Sequence, residues 1–119
     1  ELYLSGAMRE LVSRNHTGDM VNDLVVLALS GRNLVEYPAY LAMGFWGRGD
    51  GMIHGAFGHL TSPRTFGGLG RGTNVLWVDP KHQIAFAALT AGLMDEADNL
   101  HRFSVLSDLV MSSLVDETP

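Results

Sequence analysis

The chain has 119 residues and 46% of them are hydrophobic, enough for one domain with its own core and too many for a disordered polymer. Thirteen acidic residues against eight basic ones give a net charge of -5, and no basic cluster offsets it, which argues against a nucleic-acid-binding surface. There are no cysteines, so disulfide and thiolate chemistry are excluded and the compartment is left open. No apolar run reaches the roughly 18 residues that would suggest a membrane span.

Glu1-Leu2-Tyr3-Leu4-Ser5 lacks the basic head and sustained apolar stretch of a signal peptide. The chain enters directly into apparent structure without an initiator methionine, and the expectation is a segment of a longer protein. Ser5 suits an N-cap, and Ala7, Met8, Leu11 and Val12 follow at helical spacing, which predicts a helix over about 6–14. Asn15-His16-Thr17-Gly18-Asp19 reads as a turn-rich loop, and its first three residues also match a glycosylation sequon. Between Val21 and Ser30, length and composition do not separate helix from strand; Asp23 near the start and Gly31 after the end favour a helix.

Residues 31–38 read as a loop and residues 40–47 as a strand, with Gly44 at a bulge or close approach. Phe45 and Trp46 fit the core better than a pocket wall. Arg48-Gly49-Asp50-Gly51 has the form of a tight turn, which explains its Arg-Gly-Asp triplet without an adhesion role. Met52 to Leu60 then reads as a short returning strand. His54 and His59 lie in it, but no paired spacing such as His-x-x-x-His occurs, so surface or hydrogen-bonded histidines are expected and no metal site.

The densest signal is Ser62-Pro63-Arg64-Thr65-Phe66-Gly67-Gly68-Leu69-Gly70-Arg71-Gly72, which places four glycines within six positions. Glycine serves where a backbone takes positive φ or approaches something closely, so this stretch reads as a loop that could floor a site. A dinucleotide fingerprint would need a strand before the glycines and a helix after them, and a phosphate loop would need Lys-Ser or Lys-Thr after the last glycine. Neither is present, and the single lysine is Lys81. Strands follow at about 73–79 and 83–90, joined by Asp79-Pro80-Lys81-His82, whose first two residues suit a type I turn. Apolar residues on both strand faces predict that both faces are covered. One long helix, expected over about 98–115 from the spacing of Leu100, Phe103, Leu106, Val110 and Leu114, covers only one of them. An exposed apolar patch, or association with another chain or copy, is therefore expected.

The stretch Ser62-Pro63-Arg64-Thr65-Phe66-Gly67-x-x-Gly70-x-Gly72, followed by Trp77-Val78-Asp79-Pro80, resembles the C-terminal part of the serine β-lactamase-like hydrolases. That superfamily includes class C β-lactamases, penicillin-binding proteins and related esterases. Tyr37-Pro38-Ala39-Tyr40-Leu41-Ala42-Met43-Gly44-Phe45 and Asn15-His16-Thr17-Gly18 support the resemblance, which runs from about Ser5 to Val115. It implies an α+β fold, an antiparallel sheet flanked by helices, and acyl transfer on a small ester or amide without a cofactor.

Such enzymes use a Ser-x-x-Lys, a Tyr-x-Asn or Ser-x-Asn, and a Lys/His-Thr/Gly-Gly triplet on a core strand. This chain has no Ser-x-x-Lys and no Tyr-x-Asn, and its formal Ser13-Arg14-Asn15 falls at a predicted helix end. The triplet maps onto Gly68-Leu69-Gly70, of which only Gly70 matches. The resemblance therefore implies a nucleophile outside these 119 residues, in a missing N-terminal portion. It also implies weakened recognition of a substrate carboxylate at Gly68, so that an ester-type substrate fits better. The residue after the triplet, Arg71, is left to donate its backbone N–H to an oxyanion hole. The alternative is a non-catalytic binding or interaction module derived from the same fold.

Overall fold

The computed structural model describes residues 3–23, 26–27, 30–32, 35–52, 55–71 and 74–114. Among them the elements run α1 (Gly6–Ser13), β1 (Trp46–Gly47), β2 (Phe66–Gly70), β3 (Asn74–Asp79), β4 (Ile84–Leu89) and α2 (Glu96–Ser112). The strands form one antiparallel sheet in the order β1-β2-β3-β4. The fold class is α+β, an antiparallel sheet flanked by helices.

The β3–β4 hairpin is the centre of the molecule. Asp79 faces Ile84 across it, and the Asp79 carboxylate accepts from the backbone N–H groups of Lys81 at 3.0 Å and His82 at 3.3 Å, which closes the turn that Pro80 opens. In register, Trp77 lies between Gly67 and Phe86, and Val75 lies between Leu69 and Ala88. These side chains share one face, because side chains alternate along a strand. α2 covers that face with Leu100, Phe103 and Met111. Trp77 and Phe103 are completely buried, and burial of side chains of this size stabilises by roughly 1.5–3 kcal/mol each. The indole N–H of Trp77 donates to Ser107 Oγ at 2.9 Å, and Ser107 donates to the Ala56 carbonyl at 3.0 Å. One hydroxyl thus ties β3, α2 and the 55–58 segment together.

The opposite face carries Gly68, Leu76 and Ala87 in one row and Gly70, Asn74 and Leu89 in the next. Leu76 is 52% exposed and Leu89 is 83% exposed. α1 lies over the far end of this face, where a groove separates it from Phe66, Val78 and Pro80. Its N-terminus is capped by Ser5 Oγ, which accepts from the Met8 N–H at 3.2 Å. α2 is capped by Asp95, which accepts from the Ala97 N–H, and Glu96 and Asp98 in its first turn complement the helix dipole.

Several elements differ from the sequence expectation. α2 begins at Glu96 rather than at about 98, because Asp95 is the cap, and it ends at Ser112 with Ser113 donating to the Leu109 carbonyl at 3.1 Å. The strand expected over 40–47 is reduced to Trp46–Gly47. Gly44 takes φ 79, the Ala42 N–H donates to the Phe45 carbonyl, and Leu41 bridges back to Trp46, so the run folds on itself. The returning strand expected between Met52 and Leu60 is absent among the described residues, and β1 pairs with β2 instead. The glycine stretch is a strand over residues 66–70, not a loop. Of the helix favoured over 21–30, Asp23, Val26 and Leu27 have helical backbone, and residues 24–25 and 28–29 lie outside the described residues.

Candidate functional site

The site is built on β2, and its foundation is Asp79. That side chain is completely buried. One carboxylate oxygen accepts from Ser62 Oγ at 2.7 Å and the other from the Ser62 N–H at 2.7 Å, and His82 Nδ1 lies 2.7 Å from the second oxygen. Burial alone raises the Asp79 carboxyl, but the donors of Ser62 and His82 outweigh it and hold the carboxyl well below the usual carboxylate range. Serine, histidine and aspartate meet here, but the aspartate stands between the other two. Ser62 donates to Asp79 and not to an imidazole, so the group is a clamp and not a nucleophilic triad. The two stretches that carry the family resemblance, Ser62 to Gly72 and Trp77 to Pro80, are thus joined physically.

The clamp fixes the turn that feeds β2, in which the Thr65 N–H donates to the Ser62 carbonyl at 2.9 Å. The Thr65 carbonyl in turn accepts from the Arg48 N–H at 2.9 Å, on the β1 side. In an antiparallel strand a residue presents its N–H and C=O to the same side, and successive residues alternate. From Thr65 the alternation assigns the main-chain groups of Gly67 and Leu69 to the β1 side, and Arg71, just past the strand end, is next in that phase. β1 pairs with Phe66 and Gly67 and reaches no further, because the chain turns away at Gly44. The amides of Leu69 and Arg71 therefore stand at an edge that β1 leaves uncovered.

The glycines along this edge are present for different reasons. A Cβ on Gly67 would overlap the Leu76 carbonyl oxygen and lie 2.7 Å from Trp77 Cα, so only glycine lets β2 approach β3 beside the tryptophan. A Cβ on Gly70 would sit 3.1 Å from Asn74 Cβ. A Cβ on Gly68 would meet nothing within 4 Å. Gly68 therefore has room for a side chain where Gly67 has none. The Arg71 side chain is exposed.

Other polar residues hold the scaffold. Arg48 is buried, and its guanidinium donates to the carbonyls of Gly49 at 2.6 Å and His59 at 3.0 Å. Asp108 on α2 accepts from the N–H groups of His59 and Leu60 at 2.7 and 2.8 Å, and His59 Nδ1 lies 3.3 Å from it. Gly58, at φ 74, makes room for that carboxylate. Sequence reasoning missed both residues, since Arg48 reads as part of a turn and Asp108 as the polar side of a helix. His16 Nε2 lies 2.8 Å from the Leu11 carbonyl at the end of α1, and His54 lies outside the described residues. Ser13 donates to the Arg9 carbonyl, and Asn15 binds Thr17 and Gly18 within its own turn. Among the described residues no three His, Asp or Glu side chains converge on a point that would hold a metal ion.

The sheet, the helix across one face and the bare glycine edge define a β-lactamase-like fold. A solved structure of the same kind, a β-lactamase (Mb2281c) from Mycobacterium bovis, superposes with a TM-score of 0.70 at 28% identity, over 92% of this chain. This chain spans 37% of the length of that protein. No family model matches the chain, and no curated protein matches it.

Proposed function

We propose that this chain is the C-terminal segment of a serine hydrolase of the β-lactamase-like kind, acting on a small ester or amide by acyl transfer. In it the segment supplies core strands and the oxyanion-side wall of the site. The observation that carries the reading is the edge of β2 at Leu69–Arg71, which no strand covers among the described residues, on a sheet whose fold is like that of a β-lactamase. A substrate carbonyl laid against this edge meets the Arg71 N–H. As a serine oxygen adds to the carbonyl carbon, the carbonyl electron pair moves onto oxygen, and that N–H holds the resulting oxyanion. One such donor is typically worth about 3 kcal/mol in the transition state.

The nucleophile and its base come from outside these residues, since no Ser-x-x-Lys occurs here. The outward sheet face, with Leu76 and Leu89 exposed, is the surface on which the nucleophile-bearing portion, or another chain, packs. The expected result is fluorophosphonate labelling and nitrophenyl-ester turnover by the protein that includes the preceding sequence, with no turnover by these 119 residues alone. Turnover by the purified 119-residue chain defeats the reading. Within the longer protein, Arg71→Ala keeps the donor and Arg71→Pro removes it. Only the proline variant should lose about 10²–10³-fold in kcat.

The empty position at Gly68 favours one other reading, a binding or interaction module that kept the fold and lost the chemistry. A preceding sequence without Ser-x-x-Lys, together with no fluorophosphonate labelling, supports that reading over the first.

A further inference from the structure

A second concavity, of about 280 Å³, lies between the C-terminal end of α1, residues 47–50 and the turn at Pro63–Thr65. It is far from the glycine edge: Thr65 and Arg71 are six residues apart, about 20 Å along a strand. Its lining is polar and carries both signs of charge, from Glu10, Arg14, Asp50 and Arg64. Glu10 and Arg64 neutralise each other at 2.7 Å. Arg14 and Asp50 do not: neither has a hydrogen-bond or ion-pair partner among the described residues, and the Tyr40 hydroxyl has none either.

The wall between these groups is built at some cost. Tyr40 takes φ 49, in the left-handed region that bulky side chains avoid. The Gly47 N–H donates to its carbonyl at 2.7 Å and holds it there. The ring packs so closely on Gly49 that a Cβ at that position would fall inside it. An aromatic face is thus fixed in a cleft that also offers one free cation and one free anion.

We infer that this cleft binds a small zwitterion of amino-acid size, with its carboxylate on Arg14, its ammonium on Asp50 and its side chain against Tyr40. The volume suits such a molecule and greatly exceeds that of one water. The site is independent of the acyl-transfer reading and uses none of its residues. The test is an NMR titration of the ¹⁵N-labelled chain with L-alanine and L-phenylalanine, with acetate and ethylamine as single-charge controls. Saturable shifts at the amides of Arg14, Tyr40, Gly49 and Asp50 are expected with the amino acids at about millimolar concentration and not with either control. Arg14→Gln and Asp50→Asn should each weaken binding about tenfold, the worth of one charge-assisted hydrogen bond. Both residues are on the surface, and an unchanged amide spectrum elsewhere shows that the variants fold. Three results overturn the inference: no saturable shift to about 20 mM, equal binding of acetate or ethylamine alone, or binding that both variants leave intact.

Discussion

At Phe66 and Gly67, β2 has β1 on one side and β3 on the other; from Gly68 to Gly70, among the described residues, it pairs only with β3. The first end is fixed from several directions. Asp79 holds the turn before it, Arg48 ties its edge, and Trp77 packs so close that Gly67 has no room for a side chain. The second end has an edge with no strand against it among the described residues and, at Gly68, room for a side chain. Adjacent residues of one strand thus meet opposite demands. Binding edges are held best by rigid elements, and here the rigid part and the open part are separated by a single peptide bond.

The contrast breaks most completely if the fixed end is released. Asp79→Ala strips the Ser62 hydroxyl, the Ser62 N–H and His82 of their shared acceptor inside the protein. Losing one partner of a buried charged network costs about 3–5 kcal/mol, so urea unfolding should show the midpoint collapse. Gly67→Ala comes next. The added methyl meets backbone on β3 and cannot be relieved by a rotamer change, so a cost of about 3 kcal/mol is expected in the same measurement.

The Asp79 clamp also sets an acid limit. Its carboxyl is held below its ordinary value of 3.8 in the folded state, so the unfolded chain takes up the proton first. The stabilisation is therefore complete well above pH 3.8 and drains away as the pH falls through that value and on toward the lower folded value. Stability measured at descending pH should fall more steeply below about pH 4 for the native chain than for Asp79→Asn, which carries no charge to protonate. Equal acid limbs would remove Asp79 from the account. Smaller again is Gln83→Gly. Gln83 takes φ 55 at the end of the β3–β4 turn, a conformation that glycine adopts freely, so a gain of about 1 kcal/mol in unfolding free energy is expected.

What the sequence made legible follows the range of each interaction. The β3–β4 hairpin is announced by Asp79-Pro80, and α2 by its three- and four-residue apolar spacing; both signals lie within the element they describe. β1 is not legible in the same way. Residues 40–47 have the apolar content of a strand, and nothing local says that Gly44 turns the chain back so that Leu41 meets Trp46. The Ser62–Asp79 and Asp108–His59 bonds join residues 17 and 49 apart. Their partners are common polar residues with no spacing rule to mark them. Glycine density misled for a physical reason. It suggested a loop, whereas Gly67 is required by the closeness of β3 within a strand. Gly68-Leu69-Gly70 and Arg71 stand out in the sequence through the family resemblance alone. The alternation starting from Thr65 is what gives the Arg71 amide a direction.

The smallest expected effect tests the open end most directly. Gly68→Ala places a methyl in empty space at a residue without positive φ, on a strand that gains from losing a glycine's freedom. Its stability should stay within about 0.5 kcal/mol of the native chain or rise slightly, against the large loss at the neighbouring Gly67. A loss comparable to that of Gly67→Ala would mean that the end is not open. Gly68→His should be tolerated as well, because its Cβ meets nothing within 4 Å. In a protein that includes the proposed preceding portion it also divides the two functional readings. A hydrolase that lacks only a hydrogen-bonding group at this position should gain up to about tenfold in kcat/KM toward an ester bearing a carboxylate and little toward a neutral one. A module that has lost the chemistry elsewhere should gain nothing with either ester, since a recognition group does not supply a nucleophile.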